Sequence, residues 1–384
     1  MSPLLDHCRQ NQWAGFDPYD GLGSRLFSAL PLKKSRMARL VFIQAVKRSP
    51  INLRPFLLVP KGQNPKALAL FISALVRFIK SGLYHDETSI HELVTTLIAL
   101  RSCNESFYCW GYNFDWQSRY FMVFRHEPNI IATTFAGNAL IDAFEMTGIP
   151  RYLQIAVSAG HFLLYGLNLM ESESELCFSY TPVDKSRVHN ANLLAAAYLA
   201  RLFTKTAGNE FYRASLKAAR FSVNRQNADG SWYYGEDISQ RWIDHVHTGF
   251  NLTALNNFHL FMKNDLFAHE LQKGYVYYLE HLFTPAGLPK YCHDQIYPID
   301  IHAIAQSIIT LVELAHLDRR SNEQADFIFK WATAHMKCKA GYFYYQKKRL
   351  LTIRTDYIRW SQAWMLYALA VLAEKSLPAG VDSR

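Results

Sequence analysis

Apolar residues recur along this chain with the spacing of helices, and short aromatic segments follow successive pairs of them. The pattern predicts five helical pairs and a single last helix at residues 356–374. The pairs are 66–80 with 89–101, 129–146 with 151–167, 188–204 with 210–225, 247–263 with 266–283, and 300–316 with 322–337. This unit repeats with a period of roughly 55 to 60 residues, which indicates a repeat architecture.

The two helices of each pair differ in composition. The first helices are apolar over most of their circumference and rich in small residues, as at 195–197 and 303–305, which is typical of helices buried on both sides. The second helices carry more charge, as expected of an outer layer. Six first helices and five second helices are predicted, and an N-terminal helix at 33–48 would supply the missing outer helix and close a ring.

Six first helices and six second helices predict an all-α fold, an (α/α)6 toroid of helical hairpins with short aromatic, β-like turns. An open superhelical solenoid of helical pairs is the alternative. Residues 1–65 would form an N-terminal loop and the ring-closing helix. Residues 66–376 would form the toroid, in one domain with the N-terminal part, and residues 377–384 a tail.

Candidate chemistry lies where the inner helices begin, because these starts converge on one cavity and favour anions. An acid precedes a histidine or arginine at four of them. The residues are Asp184 before His189 and Asn190, Asp244 before His245 and His247, Asp300 before His302, and Asp356 before Arg359 and Trp360. Each aspartate alone is typical of an N-cap, and each histidine of a bonded core residue. The four together favour a shared acid–base pocket.

A second cluster lies at residues 110–119. It contains Tyr112, Asp115, Trp116 and Arg119. Aromatic rings stack on pyranose faces, and arginine binds carboxylates in a bidentate manner. The alternative is a hydrophobic plug with Asp115 and Arg119 as a local ion pair.

The remaining motifs do not indicate a catalytic or metal site. The turn at 226–232 contains Asp229, Gly230 and Trp232 and is expected to be structural. The sequence holds no P-loop, no GxGxxG after a strand, no HExxH, no GxSxG and no aspartate-rich diphosphate motif. Adjacent Cys292 and His293 make a poor chelate. We therefore expect neither a metal nor another cofactor.

Composition limits the chemical class of the binding partner. The formal net charge of +9 favours an anionic partner, and the 22 tyrosines and 8 tryptophans suit a sugar-binding cleft. Dispersed basic residues argue against nucleic acid. The spacing of the cysteines does not indicate a disulfide framework, and the N-terminus does not resemble a signal peptide. Both features predict a cytoplasmic protein. The basic, amphipathic segment 66–80 leaves open peripheral membrane contact, although a core helix explains it equally.

The turn at 229–232 and the paired helices from 66 to 374 resemble the six-hairpin toroid superfamily of glycosidases, polysaccharide lyases, sugar epimerases and terpenoid cyclases. Residues 16–21 and 110–114 resemble uncharacterised toroid proteins associated with bacterial capsule or exopolysaccharide synthesis. No catalytic signature of a named family matches residue by residue, and fold alone does not fix function.

The leading hypothesis is therefore a carbohydrate-active protein that makes or modifies an acidic cell-surface poly- or oligosaccharide by uronate epimerisation or β-elimination. His245, His247 and His302 would be acid–base groups with Asp244 beside them, and Tyr112 would act from the opposite face. Substrate-binding residues would be Arg119, Trp116, His189, Asp300, Arg359 and Trp360. One alternative is a glycoside hydrolase using Asp115 with Asp244 or Asp300 at the separation that inversion or retention requires. Another is a non-catalytic scaffold of a polysaccharide-synthesis complex, with a plugged funnel.

Overall fold

The computed structural model describes residues 3–103, 105–118 and 122–375, and this part of the chain is mainly helical. The α-helices are α1 Pro3–Gln10, α2 Arg25–Ala29, α3 Arg36–Arg48, α4 Pro65–Lys80, α5 Thr88–Ala99, α6 Ile130–Thr147, α7 Pro150–Tyr165, α8 His189–Thr206, α9 Asn209–Val223, α10 His245–Met262, α11 Ala268–His281, α12 Ile301–Glu313, α13 Ser321–Met336 and α14 Trp364–Lys375. A π-helix, Ile358–Ala363, leads directly into α14. None of the described helices is both long and apolar enough to cross a bilayer.

The helices form a closed double ring. Helices α4, α6, α8, α10, α12 and α14 each pack against the next, and α14 packs against α4. Helices α5, α7, α9, α11 and α13 lie outside, each against the inner helix that precedes it. The inner helix α8 is buried almost all round from His189 to Leu202, whereas α9 buries one face. The predicted (α/α)6 toroid is confirmed.

The ring closure differs from the expectation for residues 33–48. Helix α1 places Leu4, Leu5 and Cys8 in the main apolar core, and its His7 bonds to Asp356, just before the last inner helix. Helix α3 instead packs in a separate small cluster, through Ile43. The eight-residue α1 therefore lies in the sixth outer position. The tail predicted at 377–384 lies outside the described residues.

Short strands and turns connect the helices. The strands are β1 Ala14–Gly15, β2 Gly62–Gln63, β3 Trp116–Gln117, β4 Met122–Val123, β5 Leu169–Glu171, β6 Leu176–Phe178, β7 Ile299–Asp300, β8 Gln346–Lys347 and β9 Thr352–Ile353. Pairing is antiparallel throughout, as β1–β2, β3–β4, β5–β6 and β7–β8–β9. Trp232, in the turn after α9, is buried and donates its indole N–H to the Ser222 carbonyl. This agrees with a structural role for the turn.

One segment covers the end of the ring at which the inner helices begin. Pairing of β1 with β2 anchors residues 16–61, which we call the N-terminal excursion. Phe16 bridges to Tyr357 at the start of the π-helix, and Tyr19 packs edge-on against Trp360 with ring centroids 5.7 Å apart. The excursion thus places side chains over the mouth of the toroid.

Candidate active site

The first two turns of five of the six inner helices carry a buried polar atom without a hydrogen-bond partner in the described part of the chain. These atoms belong to Thr134 in α6, Asn190 in α8, Asn251 in α10, His302 and Gln306 in α12, and Trp364 in α14. The sixth inner helix, α4, carries the buried Lys66, which lies against aromatic rings. Buried polar atoms in proteins are nearly always hydrogen-bonded. Unpartnered atoms on five convergent helices therefore point to a polar ligand site at this end of the ring.

His302 lies where α10, α12 and α14 meet. Its ring stacks on Trp364 at 4.7 Å and meets Trp360 edge-on at 4.6 Å. Neither ring nitrogen has a partner among the described residues. Burial lowers the pKa of His302 well below its ordinary value, and the charges of Lys66 and Arg359 lower it further. His302 is therefore a neutral imidazole with hydrogen-bonding capacity to spare.

Lys66 is a buried cation enclosed by aromatic rings. Its Nζ lies 4.5 Å from the centroid of Phe135, 5.0 Å from that of Trp364 and 5.3 Å from that of Phe250. Burial lowers the pKa of Lys66 well below its ordinary value, and the charge of Arg359 lowers it further. The rings favour the ammonium form but offer no strong hydrogen-bond acceptor, so the desolvation effect is the larger. An unpaired buried amine is costly, which favours a functional role.

Asp244 and His247 form a dyad at the start of α10. Asp244 caps the helix by accepting the backbone N–H of His247, and its other oxygen lies 2.6 Å from Nδ1 of His247. Trp242 donates its indole N–H to the same carboxylate. Burial raises the pKa of Asp244, but the charge and hydrogen bonds of His247 outweigh it and leave the pKa below its ordinary value. The carboxylate thus fixes the imidazole and leaves Nε2 available.

The dyad lies at the accessible edge of the site. One third (33%) of the His247 side chain is exposed, and its ring packs edge-on against Tyr234 at 4.6 Å. Phe250 connects it to the buried part, because its ring lies 6.2 Å from His247 and 5.8 Å from His302. We call Lys66, His247, His302 and Arg359 the axial cluster.

Arg359 is held by the N-terminal excursion. Its Nε and one terminal nitrogen bond to the two oxygens of Asp17 at 2.6 and 2.8 Å. Its guanidinium lies 4.7 Å from the centroid of Tyr112. The π-helix positions it, since the Tyr357 carbonyl accepts from both Ser361 and Gln362. Such local widening is frequent at functional sites.

Asp300 combines capping with side-chain positioning. It accepts the backbone N–H of His302 at 2.8 Å, the indole N–H of Trp360 at 2.9 Å and the amide of Gln346 at 2.6 Å. These three donors occupy both carboxylate oxygens. Asp300 therefore holds Trp360 against His302.

The other two aspartates of the helix-start pattern tie loops together. Asp184 accepts bonds from Thr181 and Ser186 within its own turn, and Asp356 bonds to His7 and Gln362. The structure therefore brings basic residues from three of the four helix-start motifs into the axial cluster, namely His247, His302 and Arg359, whereas Asp184 and Asp356 stay outside it.

His245 and His189 lie away from the axial cluster. Nδ1 of His245 donates to the Leu282 carbonyl, and its Nε2 lies within hydrogen-bond distance of the hydroxyl groups of Tyr278 and Ser307, at 2.7 and 2.6 Å. His189 bonds through Nε2 to Glu236 and packs on Phe221 of α9. Both sit between inner and outer layers, so we leave them out of the proposed site.

Replacing His245 by glutamine tests this assignment through pH. Burial lowers the pKa of His245 from its ordinary 6.5 to about 4. Between pH 6.5 and 4 the unfolded chain binds more protons than the folded protein does. The stability that the neutral His245 contributes is therefore fully present above pH 6.5 and is lost as the pH falls to about 4. We expect the wild type to lose about 3 kcal/mol more than His245→Gln between pH 7 and 4. Urea unfolding of both proteins measures this, and equal losses would contradict the assignment.

The predicted cluster at 110–119 is divided by the structure. Tyr112 is buried, and burial raises its pKa, while its hydroxyl bonds to Tyr180. Asp115 accepts the backbone N–H of Arg125 in a neighbouring cleft. Trp116 begins β3 and packs on the main core. Arg119 lies outside the described residues.

Sequence reasoning missed Lys66, Asp17 and Phe250. The signal for Lys66 was a single charge at the start of an otherwise apolar run, 65–72, directly after a good N-cap, Asn64. Asp17 lies in the segment 16–21, whose sequence carries a resemblance but indicates no partner for the carboxylate. Among the described residues, no group of three or more His, Cys, Asp or Glu side chains is arranged to hold a metal ion.

Comparison with known proteins gives the fold a context. No protein-family profile matches the sequence, and no curated protein matches it significantly. Cellobiose 2-epimerase from Bacillus thermoamylovorans B4167 aligns with a TM-score of 0.62 at 9% identity, covering 80% of this chain and 87% of that one. A family 76 glycoside hydrolase from a bovine Bacteroides thetaiotaomicron strain aligns at 0.60 and 12% identity, covering 80% and 68%.

An unsaturated glucuronyl hydrolase specific for heparin aligns with a TM-score of 0.58 at 15% identity, covering 82% of this chain and 88% of that one. At such identities the likeness establishes the toroid fold. The three neighbours are carbohydrate-active enzymes of different chemistry.

Proposed function

We propose that this chain is a carbohydrate-active enzyme that removes a proton next to the carboxylate of an acidic sugar. The observation that carries the proposal is the axial cluster, where an unpaired Lys66 and a neutral His302 lie inside an aromatic box beside an aspartate-oriented His247. The names of the fold neighbours support a sugar substrate. Epimerisation and β-elimination both begin with this step.

His247 is the proposed general base. Asp244 bonds to Nδ1 at 2.6 Å, so the proton-accepting atom is Nε2, in the accessible part of the site. A carboxylate behind an imidazole also stabilises the imidazolium that forms when the proton is taken. General bases of this kind contribute about 10²–10⁴-fold to a rate.

Lys66 and His302 would stabilise the charge that develops after deprotonation. A bound carboxylate would supply the anion that Lys66 lacks, which raises the pKa of the amine and favours the ammonium form. The neutral His302 can donate an N–H hydrogen bond to the enediolate oxygen. Arg359 lies beside these two residues in an ion pair with Asp17, which offsets its positive charge. Preorganised donors in a dry site act strongly on developing charge.

The fate of the carbanion depends on the opposite face. Epimerisation needs a proton donor there, and Tyr112 is our candidate because burial raises its pKa and keeps it protonated. Elimination instead breaks the bond between the next carbon and its oxygen substituent, and the leaving oxygen takes the proton that His247 has removed, so no donor on the opposite face is needed.

Hydrolysis by paired aspartates has weaker support. Asp244 and Asp300 each accept three hydrogen bonds from neighbouring side chains and backbone, which assigns both carboxylates to capping a helix and positioning side chains.

A non-catalytic glycan-binding role is favoured by one observation. Asp17 occupies the guanidinium of Arg359, and Tyr19 covers Trp360. The same site would then bind an acidic sugar without turning it over.

The biological setting is also part of the proposal. We infer a bacterial cell-surface polysaccharide as the source of the acidic sugar, from the net charge of +9 and the resemblance of residues 16–21 and 110–114. A cytoplasmic location and contact with a membrane-bound synthesis complex remain predictions.

A panel of acidic and neutral glycans in deuterated water tests the proposal, with proton NMR and absorbance of the unsaturated uronate as readouts. We expect deuterium next to the carboxylate, or an unsaturated product, and loss of both in His247→Ala. New reducing ends without deuterium would move the function to hydrolysis. Saturable binding without turnover would favour the scaffold.

A further inference from the structure

A second cleft adjoins the axial cluster. It lies between the N-terminal excursion, the start of α4 and the two segments 113–115 and 124–125, and its volume is about 550 Å³. This size is typical of small-molecule sites, roughly 300–1,000 Å³. Asp17 belongs to both sites, because it lines the cleft and bonds to Arg359. Asn64, also in the lining, caps the helix in which Lys66 is the second residue.

The cleft wall alternates hydrogen-bond donors and acceptors. Asn113 accepts the Asn64 amide at 2.9 Å, which leaves its own amide nitrogen to donate. Asp115 uses one oxygen to accept the backbone N–H of Arg125, and its other oxygen bonds to none of the described residues. The exposed Arg125 also lines the cleft, and its guanidinium is a further donor. Closely spaced donors and acceptors of this kind suit the hydroxyl groups of a sugar.

The buried charges in the cleft are balanced. The two buried carboxylates that line it are paired, Asp17 with Arg359 and Asp20 with Arg54 at 2.5 Å. The remaining lining charges are Asp115 and the exposed Lys61 and Arg125, which leave one positive charge in excess at the solvent-facing rim. The interior of the cleft therefore carries no net charge, which suits an uncharged ligand.

An exposed aromatic ring completes the cleft. Phe124 follows β4, lines the cleft and is 62% exposed. A solvent-exposed phenylalanine beside polar groups offers an apolar face on which a pyranose ring can stack.

We infer that this cleft binds an uncharged sugar residue linked to the acidic sugar in the axial cluster. The substrate is then a disaccharide or a longer chain, and the N-terminal excursion sets its length. This inference rests on the proposed function, since it places the reacting sugar beside Lys66.

Calorimetric titration with three ligands tests the inference: a uronic acid, a disaccharide of that acid with an uncharged hexose, and the hexose alone. In the wild type the disaccharide should bind at least tenfold more tightly than the uronic acid. Phe124→Ala should remove this gain and leave uronic acid binding unchanged. Phe56→Ala is the matched control. Phe56 is 75% exposed and lies in the N-terminal excursion, which borders the cleft, but it is not one of the residues that line the cleft.

The outcomes separate the two proposals. Equal affinity for uronic acid and disaccharide in the wild type, or a gain that survives in Phe124→Ala, overturns the inference and leaves the proposed function intact. A Phe124-dependent gain in a protein that does not bind the uronic acid alone supports the cleft and counts against the axial carboxylate site. Loss of the gain in Phe56→Ala as well overturns the assignment to this cleft.

Discussion

Replacing His247 by alanine is expected to lower kcat on an acidic glycan by about 10²–10⁴-fold, the contribution of a positioned general base. The imidazole is fixed by Asp244 at 2.6 Å and lies at the accessible edge of the axial cluster. KM should change little, because Lys66 and the aromatic rings that hold the substrate remain. Steady-state kinetics on the substrate found in the glycan panel measure both constants.

Two further variants control this experiment. His269→Ala removes an exposed histidine from α11 and should leave kcat unchanged. Asp244→Asn keeps a good helix cap but loses the charge behind the imidazole, so it should lower kcat with little loss of stability. A kcat within threefold of the wild type in His247→Ala would exclude His247 as the base.

Replacing Lys66 by methionine is expected to stabilise the fold and to impair function. Methionine fills a similar volume without an amine, so the free energy of unfolding should rise by about 1–4 kcal/mol at pH 7. Loss of the ammonium should lower kcat/KM on an acidic glycan by about 10²–10³-fold, the cost of removing one partner of a buried charged pair. Urea unfolding and kinetics on the same preparation measure the two effects.

The pH dependence of this stability difference has a defined sign. The folded pKa of Lys66 lies well below its ordinary 10.5. Between these two pKa values the unfolded chain binds more protons than the folded protein does. The cost of burying the Lys66 amine in its charged form therefore acts in full below the folded pKa, and it is relieved as the pH rises toward 10.5. The advantage of Lys66→Met should therefore shrink with rising pH. A variant less stable than the wild type would show that Lys66 is a structural residue.

The ring was predictable because its signal is repeated. Helices buried on both sides read as apolar throughout, and five successive pairs give the same pattern, so errors of one or two residues at helix ends do not matter. The sixth outer helix was not predictable in this way. Helix α1 has only eight residues, whereas 33–48 has the length of a ring helix but packs in a small cluster of its own.

The histidines show why side-chain roles were harder to predict. His245 and His247 are two residues apart, which turns them roughly 200° from each other on an α-helix. One therefore faces the core between α10 and α11, and the other faces the mouth. The sequence places both at a helix start, but it does not say which face the ring buries.

Long-range pairs were out of reach for the same reason. Asp17 and Arg359 lie near opposite ends of the sequence and bond to each other in the folded chain, and no spacing in the sequence relates the two. Lys66 resembles a solvated charge until the aromatic side chains of α6, α10 and α14 surround it.

Binding of a uronic oligosaccharide and its carboxyl-reduced counterpart, measured by calorimetry in two buffers of different ionisation enthalpy, tests the carboxylate site most directly. The wild type should prefer the acid by at least tenfold and show net proton uptake on binding it, because the carboxylate raises the pKa of the Lys66 amine. Lys66→Met should lose both the preference and the proton uptake. Equal affinity for the two sugars, or a preference that survives in Lys66→Met, would contradict the axial carboxylate site.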